Sequence, residues 1–195
     1  MATERSSGRG TKPQRLFAAV AIPEGAADAV EAAIAAWREA FPRARWVPRE
    51  SWHVTLVFLG STSPRLVPWV QEQLAVVAER TPAFEACVRG LGAFPSTDRA
   101  RVLWAGLDAD PGTIGGLAAA VQSALAHEFP PEPRPFSAHL TVARSDHALA
   151  LPPAFAQTPL ASDRFEVDAL ELMSSQGRRT APLYERVATF PLGRR

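Results

Sequence analysis

His53-Val54-Thr55-Leu56 and His139-Leu140-Thr141-Val142 are two copies of one short pattern, His-x-Thr-apolar, set in β-rich surroundings. Successive side chains on a strand point to opposite faces, so residues two apart share a face. Each copy therefore presents an imidazole and a hydroxyl side by side. Two such strands brought together surround one cavity with two histidines and two threonines. That set suits acid–base chemistry on a phosphate. One imidazole takes a proton while the other gives one, and the hydroxyls hydrogen-bond phosphate oxygens.

The segments around the copies read as a mixture of helices and strands. Leu16 to Ile22 is a short apolar run stopped by Pro23, the pattern of a buried strand. Ala26, Val30, Ile34, Trp37 and Phe41 recur at helical spacing, and Pro42 closes that helix. Arg45 to Val47 is a short extended piece. Trp52 to Leu59 is the first motif strand. Ser63-Pro64 reads as an N-cap with proline at the first helical position, opening a helix that carries Val67, Val70, Leu74 and Val77.

Phe84 to Val88 and Arg101 to Leu107 read as strands, with Gly90 to Arg99 as the loop between them. Ile114, Leu117, Val121 and Leu125 mark a third amphipathic helix. Ser137 to Ala143 is the second motif strand. Phe165 to Met173 and Leu183 to Phe190 read as the last two, joined by Ser174 to Pro182 with its tip at Gly177 to Thr180. Helices are too few for a doubly wound parallel sheet, so the class is α+β with largely antiparallel pairing. One motif falls in each half. The expected architecture is bilobal: two similar, mostly antiparallel sheets with flanking helices, facing each other across a central cleft. No linker divides residues 15–195, so they read as one domain. The polar stretch 1–14 reads as a disordered tail.

Composition sets the limits. The chain has 195 residues, 47% of them hydrophobic and 21% charged, an ordinary globular balance. No apolar run approaches the roughly 18–20 residues that span a bilayer, and Met1 to Gln14 lacks the apolar core of a secretory signal. Cys87 is the one cysteine, which excludes an internal disulfide and a cysteine metal cluster. A cytoplasmic location is the expectation, with no membrane and no obligate protein partner in evidence. Net charge is +1, which decides nothing about nucleic acid. Of 21 basic residues only Lys12 is a lysine. Arginine forks hold phosphate bidentately, although the bias as a whole reads as compositional.

Other chemistries lack their signatures. There is no Gly-x-Ser-x-Gly elbow, no phosphate loop ending in Gly-Lys and no His-Glu-x-x-His. A metal needs further ligands, and Glu50 and Asp146 have no ligand spacing; neither metal nor cofactor is expected. His127, at a helix end, and His147, in a polar stretch, lack the motif context. Arg144 follows Thr141 near the end of its strand, where it is either a phosphate ligand at the cavity mouth or a solvated charge. Trp46, Trp52, Phe58 and Trp104 alternate with apolar strand residues and read as core. One or two of them remain candidates for stacking a nucleobase.

At this point the chain resembles a known family, the 2H phosphoesterases, and within it the RNA 2′,3′-cyclic phosphodiesterases once described as 2′-5′ RNA ligases. The resemblance runs from about Arg15 to Leu192. It takes in Arg15-Leu16-Phe17, Arg45-Trp46-Val47, Trp52 to Gly60, Gly92-Ala93-Phe94-Pro95, Pro135 to Arg144, and the ending from Leu170 through Tyr184. It implies metal-independent hydrolysis of a 2′,3′-cyclic phosphate to a 2′-phosphomonoester, with His53 as proton donor and His139 as proton acceptor. Thr55 and Thr141 would bind the phosphate. The implied partners are RNA ends or nucleotides carrying the cyclic phosphate. In principle the same site run backwards joins 2′-phosphate to 5′-hydroxyl ends. One departure is Ser137-Ala138 before His139, where members often carry proline. Two other readings stay open: a phosphoesterase acting on another cyclic nucleotide, and a non-catalytic nucleotide- or RNA-binding module.

Overall fold

The computed structural model describes residues 12–176 and 183–194. In chain order the elements are β1 (Gln14–Ala21), α1 (Glu24–Ala40), β2 (Arg45–Trp46), β3 (His53–Thr62), α2 (Val67–Arg80), β4 (Phe84–Phe94), β5 (Ala100–Ala109), α3 (Thr113–Leu125), β6 (His139–Leu149), α4 (Pro153–Ala156), β7 (Phe165–Val167), β8 (Ala169–Gln176) and β9 (Leu183–Pro191). Residues 1–11 of the expected tail and the expected loop tip Gly177 to Thr180 lie outside the described residues. Gln14, placed in the tail by its polarity, pairs with Thr62 as the first residue of β1.

The class is the expected one: an α+β fold, antiparallel in its strand pairing, with flanking helices. Among the described residues the strands are linked into one sheet, in the order β7-β4-β5-β6-β3-β1-β8-β9, with β2 against β6. Two separate sheets were expected. They are joined because the motif strands β3 and β6 are neighbours, meeting at the single register pair Val54–Leu140.

Helical periodicity reads through to packing. Val30 and Ile34 of α1, Val70 and Leu74 of α2, and Leu117, Val121 and Leu125 of α3 are all buried in the core. The sheet supplies the other side of that core through Val54, Leu56, Leu103, Leu140, Val142, Leu170 and Leu172. Burying each of these branched side chains is worth roughly 1.5–3 kcal/mol.

Several boundaries differ from the sequence reading. The first half of the expected loop from Gly90 is strand, because β4 runs on to Phe94. Gly90 is bulged out of the β4–β5 pairing at φ 70°, and its N–H bonds to the Leu160 carbonyl at 3.0 Å. Glycine carries that left-handed geometry without ending the strand. Ser63-Pro64 does not cap α2; it forms a turn closed by the Leu66 N–H on the Ser63 carbonyl at 2.9 Å, and Leu66 is the cap. Phe165 to Met173 is two strands, since β7 pairs with β4 and β8 with β1 and β9, in opposite halves of the sheet. The chain changes partners at Asp168, whose carbonyl accepts the Leu192 N–H at 2.7 Å. β6 begins at His139 and continues to Leu149, so His147 is on a strand and Arg144 is mid-strand.

Candidate active site

Val54 and Leu140 are almost fully buried and sit opposite each other. The residues on either side of them point away from the core. Continuing the antiparallel register by one step sets His53 against Thr141 and Thr55 against His139. The two histidines lie on a diagonal with a threonine opposite each. All four line one cleft of about 1260 Å³.

The neighbourhoods of the histidines repeat. Nδ1 of His53 is 2.8 Å from the Ser51 carbonyl oxygen, and Nδ1 of His139 is 2.8 Å from the Ser137 carbonyl oxygen. A carbonyl can only accept, so each Nδ1 carries a proton and donates it. The neutral ring then has its lone pair on Nε2. Aromatic rings hold the imidazoles from the side. Phe17 lies 4.7 Å and Tyr184 4.9 Å from His53 between ring centroids, while Phe94 lies 5.0 Å and Trp104 6.5 Å from His139.

Those surroundings act on protonation. Burial pulls the His53 pKa down to about 4; the bond to Ser51 opposes this, and the charges of Arg144 and His139 add to it. The His139 pKa is also lowered, chiefly by burial, with Arg144 contributing. Burial raises the Tyr184 phenol, and Arg144 partly offsets that. Arg144 is thus the cation whose field reaches both imidazoles.

The same strand irregularity follows both motifs. On β3 the pairing with β1 runs Val54, Thr55, then Val57, passing over Leu56. On β6 the pairing with β5 runs Leu140, Thr141, then Ala143, passing over Val142. A bulge of one residue reverses the alternation beyond it. The fifth residue after each histidine is thereby turned onto the face of the histidine and threonine. That residue is Phe58 in the first copy and Arg144 in the second, and both line the cleft.

The structure brings His53, His139, Thr55, Thr141 and Arg144 together. It leaves out His127, which is exposed with Nδ1 2.9 Å from a Glu128 carboxylate oxygen, and His147, also exposed. Asp146 is taken by Arg45, and its carbonyl accepts from Arg101 at 2.7 Å. Of the aromatics read as core, Trp52 is buried and Trp46 and Trp104 are half-buried. Phe58 is not core: it is 68% exposed in the cleft. Sequence reasoning put Phe58 in the core, with stacking on a nucleobase as the alternative, and did not see its exposure because strict alternation hides a bulge; its matched offset to Arg144 was the available signal. It also missed Tyr184, which arrives from β9 with no local pattern to mark it. Among the described residues no group of three or more His, Cys, Asp or Glu is placed to hold a metal ion. No helix there is long and apolar enough to cross a membrane.

Comparison with known proteins places the chain in a family. The chain matches the 2′-5′ RNA ligase superfamily over residues 26–179 and belongs to that family. It is 31% identical over 189 residues to an RNA 2′,3′-cyclic phosphodiesterase of Thermus thermophilus, covering 91% of this chain and 90% of the relative. A Geobacillus stearothermophilus protein of the same description is 30% identical over 183 residues, or 93% of this chain; the chain spans 58% of that relative's length. Among solved structures, TT0787 of Thermus thermophilus superimposes with a TM-score of 0.78 at 27% identity, covering 92% of this chain and 98% of that one. The Escherichia coli LigT structure complexed with phosphate gives 0.69 at 25% identity, covering 94% and 99%.

Proposed function

We propose that this chain is an RNA 2′,3′-cyclic phosphodiesterase that opens the cyclic phosphate to a 2′-phosphomonoester by two-histidine acid–base catalysis. The observation that carries the reading is the diagonal of His53 and His139 over one cleft, each with a threonine opposite and each held through Nδ1 by a backbone carbonyl. The relatives described as RNA 2′,3′-cyclic phosphodiesterases support the substrate class.

Neutral His139 accepts a proton from water through Nε2, and the water oxygen bonds to phosphorus. The P–O3′ bond breaks, and protonated His53 gives its Nε2 proton to O3′. Thr55, Thr141 and Arg144 hold the non-bridging oxygens and meet the charge that builds there. With its pKa near 4, His53 is neutral in the empty cleft at neutral pH. It takes up a proton from solvent as the substrate binds, because the phosphate anion favours the imidazolium form. That low pKa also favours a second reading with the two roles exchanged.

On this reading β7-β4-β5-β6 and β3-β1-β8-β9 act as two lobes of a single domain, facing each other across the cleft, and the protein works in the cytoplasm on RNA ends. No metal takes part. The test is incubation with an oligonucleotide ending in a 2′,3′-cyclic phosphate, in excess EDTA, with the product phosphate mapped. The expected product is the 2′-phosphate. Loss of turnover in chelator, restored by a divalent ion, overturns the metal-free mechanism; absence of turnover under both conditions overturns the activity.

A further inference from the structure

We propose that the proline-rich run at residues 130–136 is a binding wall for the RNA strand upstream of the reacting nucleotide. Bases 5′ of the reacting end stack on the Phe136 ring and on the guanidinium plane of Arg134. The inference rests on the reading of the cleft as a site for RNA ends.

Three observations converge. First, the run is continuous with the chemistry. It joins α3 to β6, lies outside every helix and strand, and lines the cleft along its whole length. Ser137 follows it, and the Ser137 carbonyl holds Nδ1 of His139 at 2.8 Å. A strand whose end sits at His139 therefore meets this wall next. Positions 130, 131, 133 and 135 are all proline. Proline fixes φ and has no N–H to satisfy, so the run holds its shape without a pairing partner and loses little freedom on binding.

Second, the wall offers flat faces. Phe136 is one of three large hydrophobic side chains left exposed among the described residues. Arg134 donates from Nε and from a terminal nitrogen to the Glu132 carboxylate, at 3.0 and 3.2 Å. Both side chains are exposed, so the pair adds little stability. Its effect is to fix the guanidinium in one plane and to neutralise its charge. Bases splayed from single-stranded RNA rest on aromatic rings and on guanidinium planes. An oriented, neutralised guanidinium suits a base better than a phosphate.

Third, the cleft is longer than one nucleotide requires. It follows β3 from His53 to Gly60, roughly 20 Å at the rise of a strand. Its volume of about 1260 Å³ exceeds the roughly 300–1,000 Å³ of small-molecule sites. Arg15, paired with Ser61 at the far end, supplies a cation there for a backbone phosphate.

The test is calorimetric binding of an adenosine trinucleotide ending in a 2′-phosphate, and of the same chain with its two upstream bases removed. The two ligands carry the same charge, so the ratio of their affinities isolates the upstream bases. The full trinucleotide is expected to bind more tightly. In Phe136→Ala the ratio should fall roughly 5- to 150-fold, the size of one base–aromatic stack, and Phe136→Trp should keep it. Arg134→Ala should lower it as well, and so should Arg134→Lys, which keeps the charge and loses the plane. Val76→Ala, on α2, leaves it unchanged. Thermal unfolding confirms that each variant folds; should Phe136→Ala not fold, the exposed Arg134 decides. A wild-type ratio of one, or an unchanged ratio in folded Phe136→Ala or Arg134→Ala, overturns the wall. Hydrolysis of the cyclic phosphate is measured separately. Turnover with a ratio indifferent to these variants sinks the wall alone; a ratio that depends on them without turnover sinks the activity alone. Failure of the wild type to bind either ligand sinks both.

Discussion

Phe17 and His53 lie 4.7 Å apart between ring centroids, the closest ring contact either motif histidine makes among the described residues. Phe17 is buried on β1, next to the strand that carries His53. Its ring and that of Tyr184 keep water from the imidazole, which is the physical origin of the low pKa of His53.

That contact makes stability depend on pH. The folded-state pKa of His53 is about 4, against 6.5 ordinarily. Between those values the unfolded chain binds a proton that the folded chain refuses, so stability falls as pH drops from 6.5 towards 4. Below 4 both states are protonated and the loss stops growing. His139 acts in the same direction. The melting temperature of the wild type is expected to fall more steeply over this window than that of His53→Gln, which cannot titrate. Parallel curves would mean that burial does not hold His53 neutral.

Replacing a motif histidine is expected to cost more than replacing a motif threonine. General acid or base catalysis contributes roughly 10²–10⁴-fold, whereas one neutral hydrogen bond is worth about 1 kcal/mol, or roughly fivefold. His53→Ala and His139→Ala should be nearly inactive and folded. Thr55→Ala and Thr141→Ala should be slowed and measurable. Initial rates on a cyclic-phosphate dinucleotide give the comparison, with His127→Ala as control. A loss in that control equal to the loss in His139→Ala would mean that the wrong histidine had been chosen.

Trp104 rests on Gly92, and this is where the second histidine is braced. A Cβ at Gly92 would run into Cζ2 of Trp104. Trp104 contacts Phe94, and both rings contact His139. Gly92→Ala is therefore an overpacking substitution, expected to cost about 1–3 kcal/mol and to tilt His139 through its two aromatic neighbours. Denaturant unfolding and kcat should fall together. Trp104→Phe with Gly92→Ala, which shortens the obstructing ring, should recover part of both. Full activity in Gly92→Ala alone would show that His139 does not depend on this brace.

Legibility followed the range of the forces. The helices were readable because Val30, Ile34, Leu74 and Val121 recur at a local period that the core then uses. The histidine–threonine pairs were readable because alternation holds from His53 to Thr55 and from His139 to Thr141. Alternation fails one residue later, at Leu56 and Val142, where bulges set by pairing with β1 and β5 re-aim Phe58 and Arg144. The division between β7 and β8 was hidden for the same reason. Phe165 to Met173 reads as one strand, and only distant partners draw its two ends to opposite halves of the sheet. Tyr184 reaches His53 from near the end of the chain, a contact that no local window contains.

Both imidazoles titrate below the ordinary histidine value in the free cleft. The profile of kcat/KM, which reports the free enzyme, is therefore expected to peak on the acidic side of pH 6.5. Bound phosphate stabilises both protonated forms, so the kcat profile should shift to higher pH. With His139 as base, its loss should remove the acidic limb from the residual rate. With His53 as acid, its loss should remove the alkaline limb. The two groups feel each other's charge, so fitted pKa values belong to the pair and do not assign roles by themselves. The leaving group separates them. An aryl ester whose phenolate departs unprotonated has no use for an acid. It should restore turnover to His53→Ala and leave His139→Ala inactive, since water must still be deprotonated. Restoration of His139→Ala instead would exchange the roles and would leave the two-histidine mechanism standing.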